Sequence, residues 1–483
     1  MNRLICLSVF LTGLWLQAAG GTTDDYSKAP KEKYKGSHRY IYRLTLRDKS
    51  GTPYSLSRPQ EFLSAKALER RRRQNLAVDS TDLPVSREYV DMIRRLNVRV
   101  AGVSRWHNTV LVATDDTADI RPVMDLGCVT ACRKVWQAPD SVATPMHYSE
   151  IHDTFRSWDT LRDERYGVAE EHIRHCGGHA LHDAGFRGRG MTIAVLDGGF
   201  MNTDRIPALA AIDIRGLRDF VYPRSKKRAR DIDHGTKVLS VMGTAVPHVF
   251  VGTAPEATYW LLRCEDPRTE QPVEEDYWTM AAEFADSVGV DIINSSLGYY
   301  SFDGHRGDYA YRDMDGRTAF ISQSASMLAD KGIILVNSAG NSGMGSWKKI
   351  TFPADADDIL TVGALTYTMD NAPFSGVGPT QDGRVKPDLM APGSPTNVIS
   401  GRGTITQSMG TSFAAPVVCG LVACLWQARP DLTAKEIIRL VRSCGDRHDC
   451  PDNIFGYGRP DFGKAMEAIS GSPKGEENGS PTL

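Results

Sequence analysis

The rhythm of apolar and polar positions changes three times along the chain. Residues 24–37 are polar with no period and are expected to be flexible. From Tyr40 to about Trp136 the pattern predicts a small α+β unit. "YIYRLTL" reads as a strand, and "PQEFLSAKALERRRRQ" as a helix after a Ser-rich turn. "SREYVDMIRRL" predicts a second helix, with Val90, Ile93 and Leu96 at helical spacing. "VRVAGVSRWHNTVLVAT" alternates as one or two strands, "TADIRPVMDLG" is a short helix and "CRKVWQ" a last strand. Residues 137–165 lose the period and read as a linker.

A different pattern then takes over. "MTIAVLD", "ATYWLLRC", "VDIINSSLG" and "GIILVNSAGN" are near-continuous apolar runs. They alternate with helical stretches such as "DYWTMAAEFADSVG" and "RTAFISQSASMLADKG". Strands buried on both faces and separated by helices predict an α/β fold, a doubly wound and mostly parallel sheet with helices on both faces. The apolar stretch after Ser412 is a long core helix opening near that serine, with Pro416 placed in its first turn, where a missing N–H does no harm. The tail 471–483 is rich in Gly, Ser, Pro and Glu and is expected to be disordered.

Composition narrows the class. The chain has 483 residues, 41% hydrophobic and 24% charged, with a net charge of -2. That is an ordinary globular composition, and it gives no bulk electrostatic reason to expect nucleic acid as a partner. "MNRLICLSVFLTGLWLQAAGG" has an early Arg, an apolar run and small residues before Gly20, the layout of a signal peptide over 1–20. No later apolar stretch stands out as a membrane span, so an exported protein without a transmembrane segment in its mature chain is expected. Eight of the nine cysteines follow the leader. Cys444 and Cys450 bracket a polar loop and are the best disulfide pair, whereas Cys419 and Cys424 read as small core residues. No C-x-x-C pair suggests structural zinc. The run Arg70–Arg73 reads as a solvated helix face.

Four residues stand at strand ends or helix starts. Asp197 follows "TIAVL", His234 opens a helix in "DIDHGTKVLSVMGTA", Asn341 follows the strand "GIILVNSAG", and Ser412 opens the last core helix. Singly they read as turn formers and caps. Jointly they supply a hydroxyl, a base, an orienting carboxylate and an amide donor, the requirements of acyl transfer by serine. Open parallel sheets gather such groups beyond the carboxyl ends of their strands.

The order Asp…His…Ser and its flanks resemble the subtilisin-like serine peptidases. The matching segments are "AVLDGGF", "HGTKV", "INSSLG", "SAGNSG", "FPADADDILTVGA", "FSGVGPTQDGRVKPDLMAPG" and "GTSFAAPVVCGLVA", spanning about Tyr166 to Gly463. The resemblance implies Ser412 as nucleophile, His234 as base and then acid, and Asp197 as the group that orients it. The Asn341 amide and the Ser412 N–H would form an oxyanion hole. Ser295, Ser296, Leu297 and Gly298 would pair with an extended peptide, and Ala339 and Gly340 would wall the pocket for the residue before the scissile bond. Thr351, two residues before Pro353, would lie near its floor. The resemblance also implies that residues 24–136 are a ferredoxin-like propeptide that assists folding and blocks the site, as in exported peptidases of Bacteroidetes-type bacteria. Cleavage would fall in 137–165, before a catalytic domain at 166–470. No cofactor is implied for the chemistry. Structural calcium is common in the family, but no compact ligand motif places it here.

Gly198, Lys237, Phe413 and Ala415 depart from the usual family residues, and "RSKKRARDID" is an unusually basic loop read as a solvated insertion. The expected function is an exported endopeptidase acting on proteins or peptides, with a limited-specificity processing protease as a variant. The alternative is a catalytically silent peptide-binding protein on the same fold. A lipase-like hydrolase is excluded because "GTSFA" lacks the G-x-S-x-G elbow and His234 lies upstream of Ser412.

Overall fold

The computed structural model describes residues 31–34, 38–143, 165–225, 229 and 231–470. The expected leader, most of the linker, four positions of the basic loop and the tail lie outside the described residues. The carboxyl-terminal unit is built on a seven-stranded sheet in which every pairing is parallel. Its order is Leu389–Ser394, Leu360–Thr366, Ile334–Ser338, Ile292–Ser295, Thr192–Asp197, Thr258–Arg263 and Asp213–Asp219. Strand alternation divides the core. Ile193 and Val195 pack on one face with the helices His234–Gly243 and Thr411–Ala428, while Ala194 and Leu196 pack on the other with Val273–Val288. Burial on both faces explains why these strands are continuously apolar. The edge strand "DIRGLRD" is charged and half exposed, so no apolar run announced it.

Residues 40–137 form a four-stranded antiparallel sheet ordered Arg99–Ser104, Thr109–Thr114, Tyr40–Leu46, Val129–Gln137. That is the ferredoxin-like order expected. One face buries Leu44, Val110 and Val112 against Val90, Ile93 and Ile120 of its own helices. The other lies on the helix Val273–Val288, where Ile41, Leu111 and Trp136 join the core of the larger unit.

Several expectations are corrected. The first helix opens only at Ala65, because Ser64 caps it by accepting from the Ala67 N–H at 3.1 Å. Lys31–Lys33, read as flexible, forms a short strand with Ser141–Ala143 of the supposed linker. Arg70 and Arg71 are not solvated: they are 2% and 1% exposed. Both donate to Asp286 of the larger unit, at 2.5 and 2.8 Å, and Arg105 reaches the same carboxylate at 2.5 Å. Cys444 and Cys450 are free thiols, since Cys444 turns into the core and Cys450 faces solvent. Cys419 and Cys424 are core residues as read. The helix Thr411–Ala428 is long and apolar enough to match a membrane span, but 89% of that stretch is buried within the protein.

Candidate active site

Four neighbouring strands deliver their carboxyl ends to one place. Asp197 ends its strand opposite Arg263, and Ser295 ends the next strand opposite Leu196 and Asn337. The chain leaving each end therefore rises on the same side: Gly198, Glu265, Ser296–Gly298, and Ser338, Gly340 and Asn341. With His234, Thr351 and Ser412 they line a cavity of about 440 Å³.

Asp197 is fully buried, and its carboxylate lies 2.9 Å from His234 Nδ1 through both oxygens. It also accepts the Gly198 N–H at 2.8 Å. Burial alone would disfavour the imidazolium of His234, but the charge and hydrogen bond of Asp197 outweigh it and hold its pKa above the ordinary value. The carboxylate on Nδ1 leaves Nε2 as the ring nitrogen for the cavity. Phe413 packs beside the imidazole, centroids 5.6 Å apart. Lys237 pairs instead with Asp233, one turn back at 2.8 Å.

Ser412 lies in the first turn of its helix and is 6% exposed. Pro416 sits in the second turn rather than the first, and its lack of an N–H leaves the Ser412 carbonyl without a helical partner. The Ser296 hydroxyl fills that place at 2.9 Å. In return the Ser412 hydroxyl donates to the Ser296 carbonyl at 3.3 Å, and no hydrogen bond joins it to His234 among the described residues. Contacts between a nucleophile and its base are commonly loose before substrate binds.

Asn341 is oriented by a residue that sequence reading passed over. Its Oδ1 accepts both the N–H and the hydroxyl of Thr411, at 3.0 and 2.9 Å. The amide Nδ2 is thereby left as the donor toward the cavity. Thr411 Oγ1 also accepts the Gly340 N–H at 3.1 Å. Thr411 precedes the nucleophile candidate, so "GTS" carried a signal that capping alone had absorbed.

Ser296, Leu297 and Gly298 line the cavity as expected, but Ser295 does not. It is fully buried, its hydroxyl accepting from Trp278 Nε1 at 3.0 Å. Ala339 also lies behind the wall, its N–H on the Val362 carbonyl and its carbonyl on the Thr351 N–H. Thr351 fills the floor. A Cβ at Gly298 would come within 2.1 Å of its hydroxyl and one at Gly340 within 2.5 Å, so both walls require glycine. Among the described residues no cluster of potential ligands could hold a metal ion.

Residues 188–458 match the model of the Subtilase family, and residues 41–149 that of the Peptidase S8 propeptide domain, Bacteroidota. Serine protease AprX of Bacillus subtilis (strain 168) is 31% identical over 302 residues, covering 56% of this chain and 65% of that protein. Subtilisin NAT of Bacillus subtilis subsp. natto is 27% identical over 261 residues, covering 53% of this chain and 61% of that protein. Subtilisin E of Bacillus subtilis (strain 168) matches to the same extent. The chain thus spans 61% to 65% of the length of these curated relatives. A parallel sheet carrying Asp197, His234, Asn341 and Ser412 around one cavity, together with a family match over more than half its length, establishes that this chain belongs to the subtilase family.

Proposed function

We propose that the protein is an exported serine endopeptidase, synthesised as a zymogen and hydrolysing peptide bonds through an acyl-enzyme. The observation that carries this reading is the 2.9 Å contact of His234 Nδ1 with both Asp197 oxygens, in the cavity that Ser412 lines. Substrate lies extended along Ser296–Gly298 and pairs through its main chain. A substrate N–H that takes the Ser296 carbonyl displaces the Ser412 hydroxyl from it and frees that hydroxyl to turn to His234 Nε2.

Ser412 Oγ then attacks the scissile carbonyl carbon as its proton passes to His234 Nε2. Asp197 stabilises the imidazolium, and the Asn341 amide with the Ser412 N–H receives the oxyanion. Collapse breaks the C–N bond, and the proton on His234 leaves with the amine. Water then attacks the ester carbon as its proton passes to His234; collapse breaks the C–O bond, His234 returns the proton to Ser412 Oγ, and the acid is released. These steps require no cofactor, and structural calcium of the kind common in the family would act on stability rather than chemistry.

The amino-terminal unit acts as intramolecular chaperone and inhibitor. Its support is the propeptide match and the buried contacts of Arg70, Arg71 and Arg105 with Asp286. Residues 1–20 direct export, and cleavage within 137–165 releases the mature enzyme. Incubating the full chain with a denatured protein and sequencing new termini tests the activity. Fragments are expected from the wild type and none from Ser412→Ala; fragments from both would refute it.

A further inference from the structure

Two carboxylates in the cleft have no part in the hydrolytic chemistry. Glu265 follows the strand end beside Asp197, Glu270 lies five residues on, and both line the cavity of Ser412 and His234. Neither carboxylate makes a hydrogen bond or an ion pair with another described residue. Their neighbours are compensated. Asp266 receives Arg268 at 2.8 Å and Tyr222 at 2.6 Å, with Arg263 at 3.8 Å. Glu274, behind the wall, accepts the N–H groups of Asp266 and Gln271, both at 3.0 Å. Gly198 adds no cover: a Cβ there would only touch Pro267 Cδ at 3.7 Å and Glu265 Cβ at 4.0 Å.

Resting on the peptidase reading, we infer that Glu265 and Glu270 make the cleft select substrates with a lysine or arginine upstream of the residue at the scissile bond. Two like charges held partly out of water, with no counter-ion, are costly until a cation enters the cleft. Burial, then the charge of Asp197, pushes Glu265 up to about 7, against the opposing pull of His234 and Arg263. Burial, then Glu265 and Asp303, raises Glu270 well above the carboxylate range. A neighbouring ammonium or guanidinium group opposes both shifts.

Thr351 fixes where this charge is read. The floor under Gly298 and Gly340 is Thr351, whose hydroxyl is buried, at 3% residue exposure, and has no hydrogen-bond partner. That floor carries no charge for the residue at the scissile bond to meet. Glu265 instead follows the strand end beside Asp197, with Glu270 and Asp303 next to it, so selection for positive charge falls on residues further upstream.

The test uses quenched peptides identical except for Lys, Gln or Glu at each of the positions upstream of the scissile residue. The processed enzyme is assayed for kcat/KM at about pH 8, above the value of about 7 for Glu265. Lys is expected to exceed Gln by about tenfold or more at one position, with Glu poorest, and added salt to shrink the ratio. Glu265→Gln and Glu270→Gln should each move the Lys-to-Gln ratio toward one. Taking the ratio within a single enzyme cancels any general loss of activity in a variant and the titration of His234. Equal cleavage of Lys and Gln peptides by the wild type would overturn the inference, as would a ratio that neither variant changes. If no peptide is cut at all, the peptidase reading fails, and the preference with it.

Discussion

Thr411 gives both its backbone N–H and its hydroxyl to one atom, Oδ1 of Asn341, at 3.0 and 2.9 Å. The amide is thereby held in one of its two flip states, with its N–H groups turned to the cavity. Removing an oxyanion donor typically costs about a hundred- to a thousand-fold in kcat. Asn341→Ala is expected to lose that much with little change in KM. Thr411→Val keeps the backbone bond and loses the hydroxyl, so its kcat should fall by about tenfold, in keeping with one lost hydrogen bond. Steady-state kinetics on one peptide checks both, and a KM effect without a kcat effect would contradict the assignment.

The pH dependence follows from His234. Its imidazole must be neutral to accept the Ser412 proton, and Asp197 holds its pKa above the ordinary 6.5. The pH profile of kcat/KM should therefore rise through a pKa above 6.5, with activity lost as the pH drops below it. Asp197→Asn removes the charge that raises this pKa. Its rising limb should move to lower pH while kcat falls by about ten-thousand-fold.

Asp286 joins the two units. Burial pushes its pKa up, but Arg70, Arg71 and Arg105 outweigh that and hold it at about 2. A depressed carboxylate pKa stabilises above the unfolded value of about 3.9 and loses that contribution as the pH falls toward 2. This contact should thus be insensitive to pH from mild acid to alkali, and mild acid alone should not release the amino-terminal unit through it. Asp286→Ala leaves three buried guanidinium groups without their shared carboxylate, at a cost of about 3–5 kcal/mol. Urea unfolding of the Ser412→Ala precursor, with and without this change, measures the difference.

Ser296 supports Ser412 from the neighbouring strand end. With Pro416 unable to donate, Ser296→Ala leaves the Ser412 carbonyl unpaired, a loss of about 1–3 kcal/mol. Thermal unfolding should register it, and the additional change Pro416→Ala should recover part of it by restoring a helical N–H.

What the sequence disclosed and what it hid divide along a physical line. The strands ending at Asp197, Ser295 and Ser338 are buried on both faces, so their apolar runs were legible and placed the candidate residues at strand ends. Asp213–Asp219 is a charged edge strand and carried no such run. The burial of Arg70 and Arg71 depends on Asp286, more than two hundred positions away, and no local pattern encodes that pairing. The free state of Cys444 and Cys450 turns on which way each side chain faces, which loop spacing does not specify. Glu265 and Glu270 stand in no sequence pattern that marks them, and only the fold sets them in the cleft that His234 lines.

Everything proposed for the site requires the hydroxyl of Ser412 to become a nucleophile under His234. The most direct measurement is mass-spectrometric mapping of the processed protein after exposure to a fluorophosphonate. The account predicts a single adduct on Ser412, absent in Ser412→Ala and strongly slowed in His234→Ala. A folded, processed wild-type protein that stays unlabelled, or labels equally without His234, would contradict it.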